Sequence, residues 1–314
     1  MYARENYAKI KAAIEARRQK ALKDAEIKNT EVALMSEDIR LIDAELRGTG
    51  LRIFKLACEG GDIAPLRERN RFLVSERKRC LVKLGLPEDY TEVHYSCPDC
   101  SDTGFIGTRM CKCFKEMLIT ENIKSSGMGN LIEKQSFDNF DTERYKVTAE
   151  GYERIKNALV DIKAFIDSFG TVPRTLLFVG KTGTGKTHLS TAIAKSLIEK
   201  GYEVLYDSAQ NIIADFEYDR FKSGYGPYEP KGDKYLECDL LILDDLGTEF
   251  VNQFTNSCIY NIINTRQNKG LSTIISTNLS SKEITTRYDD RIYSRLMGKD
   301  SKIVLFVGKD SRLE

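Results

Sequence analysis

The sequence predicts an α/β protein: a doubly wound parallel sheet of five strands carrying a phosphate-binding loop, preceded by an α-helical hairpin and a small cysteine module. Three observations carry the prediction. Gly180-Lys181-Thr182-Gly183-Thr184-Gly185-Lys186-Thr187 sits between an apolar run, Leu176 to Val179, and a helix-periodic stretch, Leu189 to Ile198. That is the strand, loop and helix setting a phosphate loop requires. Downstream, short apolar runs alternate with helical stretches as far as Val307. Upstream, charged helix-forming sequence gives way to two close cysteine pairs.

The totals narrow the class. A chain of 314 residues accommodates two domains. A net charge of +1 gives no global field toward nucleic acid, so DNA contact would need a local patch. No apolar run approaches the roughly 20 residues that span a bilayer, and Met1 to Lys20 lacks the apolar centre of a secretory signal. A soluble, cytoplasmic protein with no membrane partner is expected. Eight cysteines then suggest metal ligands or buried thiols more than disulfides.

Between Glu5 and Leu46 there is no proline or glycine, and Ile10, Ile14, Ala21 and Leu22, then Val32, Met35, Ile39, Ile42 and Leu46, fall near helical spacing. Gly48 and Gly50 read as the end of that helix. A second runs from Ile63 to Leu84, with Pro65 in its first turn and Gly85 and Pro87 beyond it. Residues 1–95 thus form a helical hairpin, either a solvated arm or one whose apolar stripe docks on a partner.

Residues 96–115 hold Cys97-Pro98-Asp99-Cys100 and Cys111-Lys112-Cys113 around a loop with Gly104 and Gly107. Four thiolates so spaced suit one tetrahedral zinc ion, and four protein ligands make the site structural. His94 is a substitute ligand. A redox dithiol lacks the βαβ surroundings it would need. Cys58, Cys80, Cys238 and Cys258 read as buried or half-buried thiols. Residues 116–135 form a linker: a short helix from Lys115 to Ile123, then a turn through Ser125 to Asn130. Phe137 and Phe140 either seal the edge of the next domain or wall an adenine pocket, ahead of a helix from Ala149 to Phe169.

Residues 136–314 carry the nucleotide chemistry. The loop glycines free backbone N–H groups to face phosphate oxygens at a helix N-terminus. Lys186 would reach the β- and γ-phosphates, and Thr187 would ligate Mg²⁺. A strand over Glu203 to Asp207 and a helix over Ala209 to Lys222 lead to Asp239 to Asp245, an apolar strand ending in two carboxylates. Functional groups of buried parallel strands sit at that end. Asp244 would complete the Mg²⁺ shell, and Asp245 or Glu249 would act on the attacking water. A helix over Phe254 to Asn268 and a strand over Ser272 to Ser276 end at Asn278, placed for γ-phosphate or as a helix cap. A helix over Ser281 to Met297 would carry Arg287, Arg291 and Arg295 on one face, either solvated or suited to γ-phosphate contact across a subunit boundary. After a last strand, Ile303 to Val307, the tail with Arg312 is too short for a helical lid. Tyr218, Arg220, Phe221, Lys222, Tyr225 and Tyr228 interleave bases and aromatics, as single-stranded DNA contact would need, or form an ordinary surface loop.

Gly-x-x-Gly-Thr-Gly-Lys-Thr-His-Leu at 180 to 189, Leu-Leu-Ile-Leu-Asp-Asp-Leu-Gly at 240 to 247, Ser-Thr-Asn at 276 to 278 and Arg-Ile-Tyr-Ser-Arg-Leu at 291 to 296 resemble the AAA+ helicase loaders of the DnaC and DnaI type. They are also similar to the IstB transposition helpers. The helical arm followed by Cys97-Pro-Asp-Cys-Ser-Asp-Thr-Gly is nearer the DnaI-type loaders. The resemblance implies an ATPase that grips a DnaB-type replicative helicase through its N-terminal region, delivers it to single-stranded DNA, and self-associates through the ATPase domain. It makes Gly180 to Thr187, with His188, the Walker A segment, Asp244 and Asp245 Walker B, and Asn278 sensor 1. Arg291 or Arg295 would be the arginine finger and Arg312 a sensor 2 residue. Asp245 stands where AAA+ proteins commonly have Glu, which implies slow hydrolysis. A transposition helper, or a nucleotide-gated adaptor in which hydrolysis is incidental, would be the alternatives.

Overall fold

The computed structural model describes residues 4–172, 174–222, 230–299 and 301–308, with Lys222 as backbone only. Two compact units result, one of Lys9–Lys115 and one of Glu116–Glu314 that also includes Met1–Ala8.

Three helices build most of the first unit: α1 (Arg4–Met35), α2 (Glu37–Cys58) and α3 (Ala64–Lys83). The helix expected to run from Glu5 to Leu46 breaks at Ser36. There the backbone is extended and the hydroxyl accepts from Ile39 N–H, capping a new helix. Gly48 and Gly50 consequently lie inside α2, each at a cost of about 1 kcal/mol relative to alanine. The stop comes later, at Glu59 and Gly60, where Gly60 takes φ +72°. The hairpin is the α2–α3 pair, with α1 added to it. Arg77 of α3 joins all three helices, giving its Nε to Asp43 and an Nη2 to Asn29, each at 2.7 Å. Below it Val32, Ile39 and Leu81 form a small apolar core. A two-residue hairpin, β1 (Phe105–Ile106) and β2 (Arg109–Met110), then separates the cysteine pairs. α4 (Lys112–Ser125) begins within the second pair, a turn earlier than expected.

The second unit continues through α5 (Leu131–Lys134), a 3₁₀ turn at Glu143–Tyr145, and α6 (Ala149–Asp167). β3 (Thr175–Gly180), α7 (Lys186–Glu199), β4 (Val204–Ser208), α8 (Ala209–Lys222), α9 (Asp233–Glu237) and β5 (Leu240–Leu246) follow. The chain then forms α10 (Gln253–Asn268), β6 (Ser272–Thr277), α11 (Ser281–Arg287), α12 (Asp290–Leu296) and β7 (Ser301–Phe306). The five strands β3 to β7 pair in the order β4-β5-β6-β3-β7, all parallel. Because side chains alternate across a strand, Leu176, Phe178, Leu240, Ile242 and Ile274 pack on one face with α6 and α7. Leu177, Leu241, Leu243 and Ile275 pack on the other with α8, α10 and α12. The central strands β3, β5 and β6 are buried on both faces, which is why β3 and β5 read as apolar runs.

The helix expected from Ser281 to Met297 is two helices. Tyr288 and Asp289 take extended backbone, and the Asp289 carboxylate caps α12 by accepting from Ile292 N–H. Arg287 is therefore on a different helix from Arg291 and Arg295. Among the described residues no helix follows β7, and none is long and apolar enough to cross a membrane. Arg312, Tyr225 and Tyr228 lie outside the described residues, as does the side chain of Lys222.

Candidate nucleotide-binding site

The phosphate loop follows β3 as the motif requires, with Gly183 at φ +72° and Gly185 at φ +96°. Two glycines are also required by close approach. A Cβ on Gly180 would stand 2.6 Å from the Phe306 carbonyl, and one on Gly185 would stand 2.8 Å from the Tyr145 hydroxyl. Tyr145 donates that hydroxyl to the Thr184 carbonyl. Burial pushes its phenol well above the ordinary value, so it remains a donor. Lys186 begins α7 and donates Nζ to the Gly180 and Lys181 carbonyls at 2.7 and 2.9 Å.

At the tip of β5, pairing with β6 shifts register between Leu243 and Leu246. Such a bulge re-aims side chains, and here it separates the two carboxylates. Asp244 is 4% exposed and turns toward the loop. Its Oδ2 accepts from Thr187 Oγ1 at 3.2 Å and from the Tyr206 hydroxyl, and its Oδ1 accepts from Ser276. Burial, with Asp244 beside it, holds the Tyr206 phenol far above its usual range. Asp245 is exposed, at φ +55°, with its N–H donating to Ser276 Oγ at 2.9 Å. A cavity of about 250 Å³ brings together Thr182 to His188, Asp245, Thr248 and Asn278, with Gln135 and Arg144 from the segment ahead of the sheet.

Asn278 lines that cavity and is not the cap of α11, a role taken by Ser280 in a capping box with Glu283. Glu249, the other carboxylate expected to act on water, lies apart from the cavity lining. It is 3% exposed, and its oxygens accept from Gly247 N–H and the Tyr288 hydroxyl. Phe137 and Phe140 pack against the core, Phe140 edge-on to His188, and neither reaches the cavity lining. His188 lines the cavity while its Nε2 meets Ser136 O and Asn139 Oδ1, both at 2.9 Å. None of the three arginines lines this cavity. Arg287 donates to the Glu249 carbonyl at 2.8 Å, Arg295 to Gln267 Oε1 at 3.2 Å, and Arg291 is exposed beside Arg295 in a separate groove.

In the first unit the Sγ atoms of Cys97, Cys100, Cys111 and Cys113 lie within 4.8 Å of one another, with contacts of 3.8 and 3.6 Å. Zn–S bonds of about 2.3 Å in a tetrahedron put sulfurs roughly 3.8 Å apart, so the four thiols fit that ion. The thiols are unequal: Cys100 falls to about 7 although burial opposes it, drawn by the Gly104 backbone and its neighbours, and burial drives Cys113 to about 12. His94 is turned to Asp89, its Nε2 3.1 Å from that carbonyl oxygen. The knuckle is organised by Asp102, which accepts from Ser96 and Cys97 N–H at 2.9 Å and pairs with Arg17 at 2.6 Å. Cys238 and Cys258 are buried and Cys80 half-buried, whereas Cys58 is exposed.

A phosphate loop after β3, a buried aspartate beside its threonine, and the strand order β4-β5-β6-β3-β7 define an ATP-binding domain of the AAA+ class. The family model described as IstB-like ATP binding protein matches residues 125–299, more than half of the chain. The chain belongs to that family. It is 27% identical over 192 residues to the replicative helicase loader DnaC of Escherichia coli K12, covering 61% of this chain and 75% of the relative. It is 28% identical over 198 residues to the uncharacterized protein YdaV of the same organism, covering 61% and 73%. Among solved structures it is similar to the DnaC helicase loader, at 27% identity and a TM-score of 0.44 over 49% of this chain and 90% of that one. It is also similar to DnaI, at 20% identity and a TM-score of 0.45 over 59% and 94%.

Proposed function

We propose that this protein is an ATP-dependent loader that grips a ring-shaped replicative helicase through its N-terminal unit and delivers it to single-stranded DNA. The observation that carries the reading is the pairing of Thr187 with Asp244 beside Lys186, in a chain similar to DnaC over 75% of that loader's length. Lys186 and the loop N–H groups bind the phosphates of ATP, and Thr187 and Asp244 hold its Mg²⁺, which offsets phosphate charge when bound. Asn278 and Asp245 face the γ-phosphate side of the cavity and orient the attacking water. Asp245 has a short side chain on a strained backbone, and hydrolysis is therefore slow, a timer more than a motor. Arg291 or Arg295, which do not line their own chain's cavity, act on the ATP of a neighbouring copy.

The four cysteines hold a structural zinc that braces residues 9–115 for helicase binding. Tyr218 and Phe221 are exposed on α8 next to Arg220, and they support single-stranded DNA contact by stacking. The match to an IstB-like family model favours one second reading, a transposition helper that binds duplex DNA and a transposase. A pull-down of the full chain with a DnaB-type helicase separates the two. Capture that is lost in Cys97→Ser supports the loader, and no capture at any nucleotide state overturns it.

A further inference from the structure

We propose that Glu249 is a positioning residue that ties the tip of β5 to the arginine-bearing helix α12, so that the state of a subunit's own nucleotide site sets the arginine it offers its neighbour. The inference rests on the reading above, in which Arg291 or Arg295 acts in trans.

Three bonds converge on this one residue. Its Oε2 accepts the Gly247 N–H at 2.8 Å, its Oε1 accepts the Tyr288 hydroxyl, and its backbone carbonyl accepts Arg287 Nη2 at 2.8 Å. Arg287 ends α11, and Tyr288 is the extended residue, φ −116° and ψ 163°, through which the chain turns into α12. Both partners therefore sit at the hinge that sets the direction of α12. On the other side, the strand tip has no slack. Gly247 holds φ +107° with Leu279 Cδ1 2.6 Å from where a Cβ would be, Asp245 N–H is fixed to Ser276, and Thr277 Oγ1 donates to the Leu246 carbonyl. A movement of the Asp244–Asp245 bulge is transmitted through residues 246–249 to the hinge.

The chemistry argues against a mere loop closure. A carboxylate 3% exposed and met by a backbone N–H and a phenol is expensive to bury, and a neutral or exposed residue would close the same turn. Tyr288, itself 4% exposed, is held in the donor form by burial and by Glu249.

The test uses full-length subunits. Asp245→Asn binds ATP and offers its arginines but cannot orient the attacking water, and Arg291→Ala/Arg295→Ala keeps the site but offers no arginine, so mixing them restores hydrolysis at the mixed interface. Adding Glu249→Ala or Tyr288→Phe to the Asp245→Asn subunit alone should lower the restored kcat about tenfold and leave KM for ATP within about twofold. Glu249→Gln, which keeps one oxygen acceptor, should recover much of the loss. Unchanged restoration with Tyr288→Phe and Glu249→Ala overturns the proposal. If the parent mixture restores nothing, the trans-arginine reading has failed, and hydrogen exchange then decides on the strut itself. Amides 287–296 should exchange at least about tenfold faster in Glu249→Ala and Tyr288→Phe while α7 stays protected; equal protection overturns it.

Discussion

Thr187 Oγ1 donates to Asp244 Oδ2 across 3.2 Å, joining the end of the phosphate loop to the tip of β5. Tyr206 and Ser276 donate to the same carboxylate from the two flanking strands. Three hydroxyl donors thus converge on one side chain whose oxygens are of the kind that hold a divalent ion. Asp244→Asn places an N–H₂ group among those donors. A fluorescent ATP analogue should bind wild type more tightly with Mg²⁺ than without, and that difference should vanish in the variant. A retained Mg²⁺ dependence would move the ion to other ligands.

Arg144 enters the phosphate cavity from the 3₁₀ turn ahead of the sheet, and Asp141 is its ion-pair partner at 3.7 Å. Its Nε is buried and faces Asp141, so a bond to a phosphate oxygen in the cavity falls to the Nη end of the guanidinium. A charge-assisted bond of about 1.5–3 kcal/mol corresponds to a rise in KM for ATP of roughly tenfold or more in Arg144→Ala, with kcat changed far less. Steady-state kinetics over a wide ATP range checks this.

Arg144 also shows where the sequence was legible and where it was not. The phosphate loop, the five strands and the cysteine pairs announce themselves, because each is a contiguous run with its own chemistry. Arg144 and Gln135 belong to no motif and reach the cavity only through the packing of Tyr145 beneath the loop. Tyr206, opposite Ile242, and Ser276, one residue beyond the Leu243–Ile275 pair, meet Asp244 because β4 and β6 flank β5, which no single run encodes. The two misplaced helix breaks did have local signals. Ser36 precedes Glu37 and Asp38, and Asp289 precedes Asp290, the cap and acidic first turn of a helix start, but continuous periodicity and the arginine spacing masked them. Gly48 and Gly50 misled in the opposite sense, since packing of α2 on α3 overrides their intrinsic cost.

Zinc accounts for the four thiols only if metal content follows them. Protein purified without chelator should carry one zinc per chain, and Cys111→Ser should carry markedly less. Asp102→Asn should retain most of the metal but weaken the Arg17 pair, whose loss is felt because the Asp102 side chain is fully buried. In thermal melts the chelated protein should lose a transition assigned to residues 9–115 and keep ATP-analogue binding by the other unit. Full metal content in Cys111→Ser would rule out the cluster as the ligand set.

Arg266 is the largest fully buried side chain among the described residues. Asp239 is near enough to favour its charge, but the guanidinium's hydrogen bonds go to neutral groups. Nη1 donates to the Tyr235 and Cys238 carbonyls at 2.9 and 3.0 Å, Nη2 to the Ser272 carbonyl at 2.6 Å, and Nε to Thr273 Oγ1 at 3.0 Å. One guanidinium thus ties α9, the approach to β5 and the start of β6 together beneath the sheet, at the opposite strand ends from the phosphate loop. Burial draws its pKa down from the usual guanidinium value, yet its carbonyl partners all favour the charged donor. Arg266→Met fills similar volume but strands several buried carbonyls, and a buried acceptor left unsatisfied costs about 1–3 kcal/mol. Urea unfolding of the variant should show a midpoint shift of that size with ATP-analogue affinity under native conditions within a factor of about two. A shift below about 1 kcal/mol would mean that water replaces the guanidinium, since an ordered water can satisfy stranded carbonyls.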